Sequence, residues 1–98
     1  MWRHSVYYAS DNTIEEMIND APITAAVSAT RWRNYKGGVM KCAPSDPIDH
    51  AVLLVGYTSD YWIAKNSWGN KFGDMGYIYI SRERGKNCSI GAAVHELS

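Results

Sequence analysis

The 98 residues predict an α+β domain dominated by antiparallel strands. Three observations carry that expectation. "HAVLLVGY", "YWIAKNS" and "YIYIS" are rich in branched and aromatic side chains, and each is bounded by turn residues. A single amphipathic segment near the start has the start and stop signals of a helix. The composition, 46% hydrophobic and 20% charged, suits a chain that buries one thin core and argues against disorder.

Taken in order, Arg3 to Ala9 alternates weakly among β-formers and reads as a strand. "SDNTIEEMINDAP" reads as a helix from about Asn12 to Asn19. Asp11 or Asn12 is the candidate N-cap, and Thr13 and Glu16 have capping-box spacing. Ile14, Met17 and Ile18 form its apolar stripe, and Pro22 stops it. Ile23 to Ala29 is a short strand of small apolar residues. "TRWRNYKGG" is a turn of helix or a loop ending on paired glycines, and "KCAPSDPID" is a loop. His50 to Tyr57 is near-continuously apolar, as a buried strand would be. "TSD" turns it, and "YWIAKNS" returns as its antiparallel partner. "WGNKFGDMG" is a glycine-rich loop whose Gly69, Gly73 and Gly76 are too dispersed to cradle phosphate and instead permit tight turns. "YIYIS" is a further strand, "RERGKN" a solvated hairpin tip, and "CSIGAAVHELS" closes the chain.

Lys plus Arg equals Asp plus Glu, for a formal net charge of +0, so nothing points to a nucleic-acid or membrane partner. No apolar run reaches the roughly 18 to 20 residues of a membrane span. The first ten residues lack an apolar signal-peptide core, which leaves two readings open: a protein that stays inside, or a chain whose leader has been removed. Two distant cysteines with His4 and His95 lack zinc-site spacing, so no metal and no cofactor are implied. The acids of "IEEMIND" read as a solvated helix face, and Asn87-Cys88-Ser89 fits a glycosylation sequon with a cysteine in its middle.

His50 and Asn66 are the residues with chemistry to offer. A hairpin turning near Ser59 would bring them opposite each other. An asparagine carbonyl that accepts from one imidazole N–H fixes the ring and leaves the other nitrogen free to exchange a proton with a nucleophile. Trp68, two residues on, can shield that bond, which strengthens as the local dielectric falls.

"DHAVLLVGY", "YWIAKNSWG" and "FGDMGYIYI", in this order and spacing, closely resemble the C-terminal half of papain-like cysteine proteases. "APITAAVSA" and "YKGGVM" extend the resemblance over nearly the whole chain. It implies an antiparallel half-barrel, the β-rich domain of a two-domain fold. His50 matches the family's catalytic base, Asn66 the residue that orients it, and Trp68 the tryptophan that covers the pair on the leaving-group side of the cleft. Asp49 matches the position before the histidine. Ala26, Ile48 and Ala93 match positions lining the specificity pocket for the second residue ahead of the scissile bond. That implies an apolar preference there, with Glu96 the one acid near enough to alter it. Cysteines at Cys42 and Cys88 form a disulfide in cathepsin-like members, which implies an oxidising compartment, lysosomal, vacuolar or secreted. Two departures stand out. The family's second loop tryptophan is Phe72 here, which keeps the packing and loses an indole N–H. A family glycine is Ser89, at a site where Gly supplies positive φ.

The family's nucleophile, a cysteine in a Gln-x-x-x-x-x-Cys-x-x-Cys-Trp segment, has no match, and neither has its oxyanion-hole glutamine. The resemblance therefore implies half of an endopeptidase or exopeptidase, inactive alone. Its partners would be a cysteine-bearing N-terminal domain or chain, peptide or protein substrates, and cystatin-type or propeptide inhibitors. The alternative is a non-catalytic module of the same fold with a binding or structural role.

Overall fold

The computed structural model describes residues 2–69 and 71–97. The side chain of His4, weighed above as a metal ligand, lies outside the described set. The elements run β1 (Trp2–Tyr7), α1 (Asp11–Asp20), β2 (Ile23–Val27), a single 3-10 turn (Trp32–Asn34), β3 (Val39–Met40), β4 (His50–Tyr57), β5 (Tyr61–Lys65), β6 (Tyr77–Ser81) and β7 (Ala93–Leu97). They form one sheet of order β1-β7-β2-β4-β5-β6-β3, with β1 and β3 as its open edges. All neighbouring pairs are antiparallel except the two-residue pair β3–β6.

The helix begins one residue earlier than expected, and its cap is neither Asp11 nor Asn12. Ser10 is extended, and its Oγ accepts the Thr13 N–H at 3.2 Å, a donor the helix cannot otherwise satisfy. A cap at Ser10 leaves the Thr13 and Glu16 spacing inside the helix. Ala21, forced extended ahead of Pro22, ends it. Ile14, Met17 and Ile18 turn to the core, where they join Ile23, Leu54, Trp62, Ile78 and Val94.

The β4 run is buried on one face only. Val52 and Leu54 are buried, while Ala51 is exposed and Leu53 and Val55 are half-buried. Its continuous apolarity therefore marks a sheet with a dry inner face and a partly covered outer one, not a strand enclosed on both sides.

Two strands lie where none was expected. Val39–Met40 adds parallel to β6. Ala93–Leu97 inserts between β1 and β2, so the segment after β6 is no hairpin tip but a connection across to the other side of the sheet. Nor is Arg82 solvated. Its guanidinium lies 4.3 Å from the Trp62 ring, donates to the Thr58 carbonyl at 2.6 Å, and pairs with Asp11 and Glu15 of α1. One cation thus joins the helix to the sheet, and it takes Glu15 out of the solvated face.

Candidate active site

His50 opens β4 opposite Val27 of β2, on the same inner face as Val52 and Leu54. The β4–β5 ladder pairs Leu54 with Ala64 and Leu53 with Lys65. Continuing that register sets Asn66 level with Val52. His50 is then a diagonal step away, not directly opposite as a simple hairpin count suggests. The parity still puts both side chains on one face, and a diagonal gap is within reach of two such side chains. His50 Nε2 and Asn66 Oδ1 are 2.7 Å apart.

The surroundings of Asn66 settle which atom donates. Its Oδ1 also lies 2.8 Å from the Ser67 backbone N–H, which can only donate. The atom there must be the oxygen, and an oxygen can only accept, so His50 Nε2 carries the proton. Nδ1 is then the nitrogen left to take up and release a proton. Asn66 is only 4% exposed, which keeps this bond in a poorly hydrated setting.

Aromatic rings brace the imidazole from two sides. Trp68 lies over it with ring centroids 5.2 Å apart. It remains 46% exposed, so it covers one side of the ring and leaves its own outer face to solvent. Trp32, fully buried, meets His50 edge-on at 6.0 Å and 87°. Phe72 stacks on Trp32 at 6.4 Å and meets Trp68 edge-on at 5.0 Å, so it retains its place in the cluster without an indole. Trp32 was not among the residues expected at the site. Its spacing from Tyr35, one helical turn, was the available signal, because it puts both rings on the same side of the 3-10 turn; both are buried.

Asp49 does not reach for the histidine. Its carboxylate accepts the Ala29 N–H at 2.8 Å and the Thr30 hydroxyl at 3.2 Å, while its own N–H donates to the Val27 carbonyl at 3.1 Å. It ties the end of β2 to the start of β4, and so fixes the backbone that carries His50.

The three expected pocket residues separate into two groups. Ala26 faces Ala51 across β2 and β4, and Ala93 faces Tyr7 across β7 and β1. The β2–β7 register, which pairs Ala25 with Val94, sets Ala26 and Ala93 side by side on the outer face. Ile48 instead borders a hollow with Tyr8, Ser89, Ala92 and Arg84. Glu96 pairs with the buried Ile23 and so shares the opposite face from Ala93, which removes it from that region. Arg84 is the charge that sequence reasoning did not place there.

Cys42 and Cys88 are joined, with Cα atoms 4.8 Å apart. Ser89 takes φ +59°, the positive value expected where the related sequences have glycine. Its N–H donates to Asn87 Oδ1 at 3.2 Å. Among the described residues no group of three or more His, Cys, Asp or Glu is arranged to hold a metal ion.

A largely antiparallel open sheet thus presents a histidine that is hydrogen-bonded to a buried asparagine and lies beside a half-exposed tryptophan. The description of the papain family of cysteine proteases matches residues 2–96, and this chain belongs to that family. Digestive cysteine proteinase 3 of Homarus americanus is 40% identical over 93 residues, covering 85% of this chain and 29% of its own length. Cathepsin S of Bos taurus is 37% identical over 93 residues, with 85% and 28% covered. The Carica candamarcensis cysteine protease CMS1MS2, solved in complex with E-64, superposes with a TM-score of 0.84 at 34% identity, covering 94% of this chain and 46% of that one. The chain thus spans less than a third of these curated relatives and about half of the solved protease.

Proposed function

We propose that these residues are the C-terminal, β-rich domain of a papain-type cysteine peptidase. They supply the catalytic His50 and its orienting Asn66 to a cysteine borne by a helical domain or chain outside this sequence. The observation that carries this is the doubly engaged Asn66 oxygen. It holds Nε2 protonated and leaves Nδ1 to pair with a thiolate and then protonate the leaving amine. Both cysteines of the chain are spent in the Cys42–Cys88 bond, so the nucleophile comes from elsewhere and the chain by itself does not hydrolyse peptides. The disulfide and the cathepsin and digestive names among its relatives support a lysosomal, vacuolar or secreted setting. Ile48 favours an apolar second residue ahead of the scissile bond, and Arg84 on the rim of the same hollow opposes a basic one; Ala26 and Ala93 lie apart from that hollow, side by side on the outer face of the sheet. Cystatin-type or propeptide segments that mimic a substrate would bind the same cleft.

The test is steady-state hydrolysis by the assembled protease. Asn66→Ala is expected to lower kcat by about 10- to 100-fold, roughly 1.4–2.7 kcal/mol, with KM little changed. Asn66→Gln, which keeps an amide but misplaces it, falls between. Unaltered kcat in Asn66→Ala overturns the orienting role of Asn66, and absence of any thiol-dependent hydrolysis favours the alternative, a non-catalytic module that retains the geometry.

A further inference from the structure

Beside His50 the surface carries a hollow on the Trp68 side, bordered by Thr30, Arg33, Asn34 and Asp49. It is distinct from the hollow at Ile48, which borders neither His50 nor Trp68. The 3-10 turn that forms its wall is anchored by the fully buried Trp32, so the residues on either side of Trp32 are turned outward. Those two residues are both arginines, and they have different fates. Arg31 forms a two-pronged pair with Asp46, at 2.6 and 3.2 Å. The hydrogen bond from Arg31, with a further one from the Ala43 N–H, holds the Asp46 carboxyl below the usual carboxylate range. That acid is fully committed to its partners. Arg33 is exposed and has no ion pair among the described residues. The one acid in the hollow, Asp49, already accepts the Ala29 N–H and the Thr30 hydroxyl.

We propose that Arg33 is a specificity-determining residue that selects a carboxylate on the leaving-group side of the scissile bond. The proposal rests on the proteolytic reading above and adds the substrate class. A guanidinium offers a planar fork of donors matched to a carboxylate, and Asn34 adds an amide on the same wall. The carboxylate has two sources. It is either an Asp or Glu side chain one or two residues past the cleaved bond, or the free C-terminus of a short leaving segment. The first describes an endopeptidase and the second a carboxypeptidase.

Internally quenched peptides tested on the assembled protease separate these. One set carries Asp, Ala or Lys at the first and second leaving positions of a C-terminally amidated peptide. The other carries neutral leaving dipeptides with a free or an amidated end. A kcat/KM preference of about 3- to 10-fold for the carboxylate is expected in one set, the size of a partly exposed charge-assisted pair. Arg33→Glu reverses the ratio and Arg33→Lys retains part of it. Lys36→Glu, the same charge change three residues on and outside the hollow, leaves the ratio in place. Cleavage with no carboxylate preference in either set, or a preference that survives Arg33→Glu, overturns the role of Arg33 and leaves the protease standing. Absence of any thiol-dependent cleavage overturns both.

Discussion

Ser89 sits at φ +59° and its neighbour Cys88 at +55°, two consecutive non-glycine residues in the left-handed region. For an L-residue that conformation costs on the order of 1 kcal/mol. The disulfide at Cys88 and the Asn87 cap on the Ser89 N–H hold it in place. Ser89→Gly relieves the clash and adds unfolded-state entropy, and the balance favours a gain of about 0.5 kcal/mol in urea unfolding. A loss of stability in that variant means Ser89 is not strained. The strain was readable from sequence, because the related pattern has glycine there. Trp32 was not readable as a brace for the imidazole, because its contact with His50 joins a 3-10 turn to a strand that starts sixteen residues beyond that turn's last residue, Asn34. The identities of His50, Asn66 and Trp68 were legible in a motif. That the asparagine carbonyl accepts from the imidazole was also legible; which ring nitrogen donates was not, since it follows from the placing of Nε2 against the Asn66 oxygen.

Among the elements, those with strong local signals were legible and those defined by distant partners were not. The helix was found from its stripe and its proline, β4 from its near-continuous apolar run, β5 as the strand returning after the turn, and β6 from its alternation of Tyr and Ile. β3 is two residues long, and β7 carries His95 and Glu96 in its interior, so neither has a period to read; each exists because a neighbour offers an unpaired edge. Arg82 shows the same limit, since a basic residue in a charged run reads as solvated until the helix and Trp62 close around it. This gives a test at the level of the helix–sheet joint. Arg82→Lys keeps the charge and loses the planar fork and ring stacking, and is expected to cost about 1–2 kcal/mol in thermal or urea unfolding. A cost within about 0.5 kcal/mol, typical of an exposed surface position, contradicts the joint.

For the molecule as a whole, the sheet's inner face packs against α1 and carries the His50–Asn66 pair at one end, while its outer face stays only partly covered. The Cys42–Cys88 bond closes a stretch of 46 residues around the loop that leads into His50, so that histidine is held by a covalent frame as well as by Asp49. Such a unit fixes the imidazole proposed as the general base, and both of its cysteines are taken up in the disulfide. The most direct measurement is therefore to treat the assembled protease with an active-site-directed epoxide and map the modified residue by mass spectrometry, in the natural sequence and in His50→Ala. The expected result is one added mass, on a cysteine outside these 98 residues, greatly diminished in His50→Ala. Modification of Cys42 or Cys88, or labelling undiminished without His50, would contradict the assignment of this chain as the base-bearing half of the enzyme.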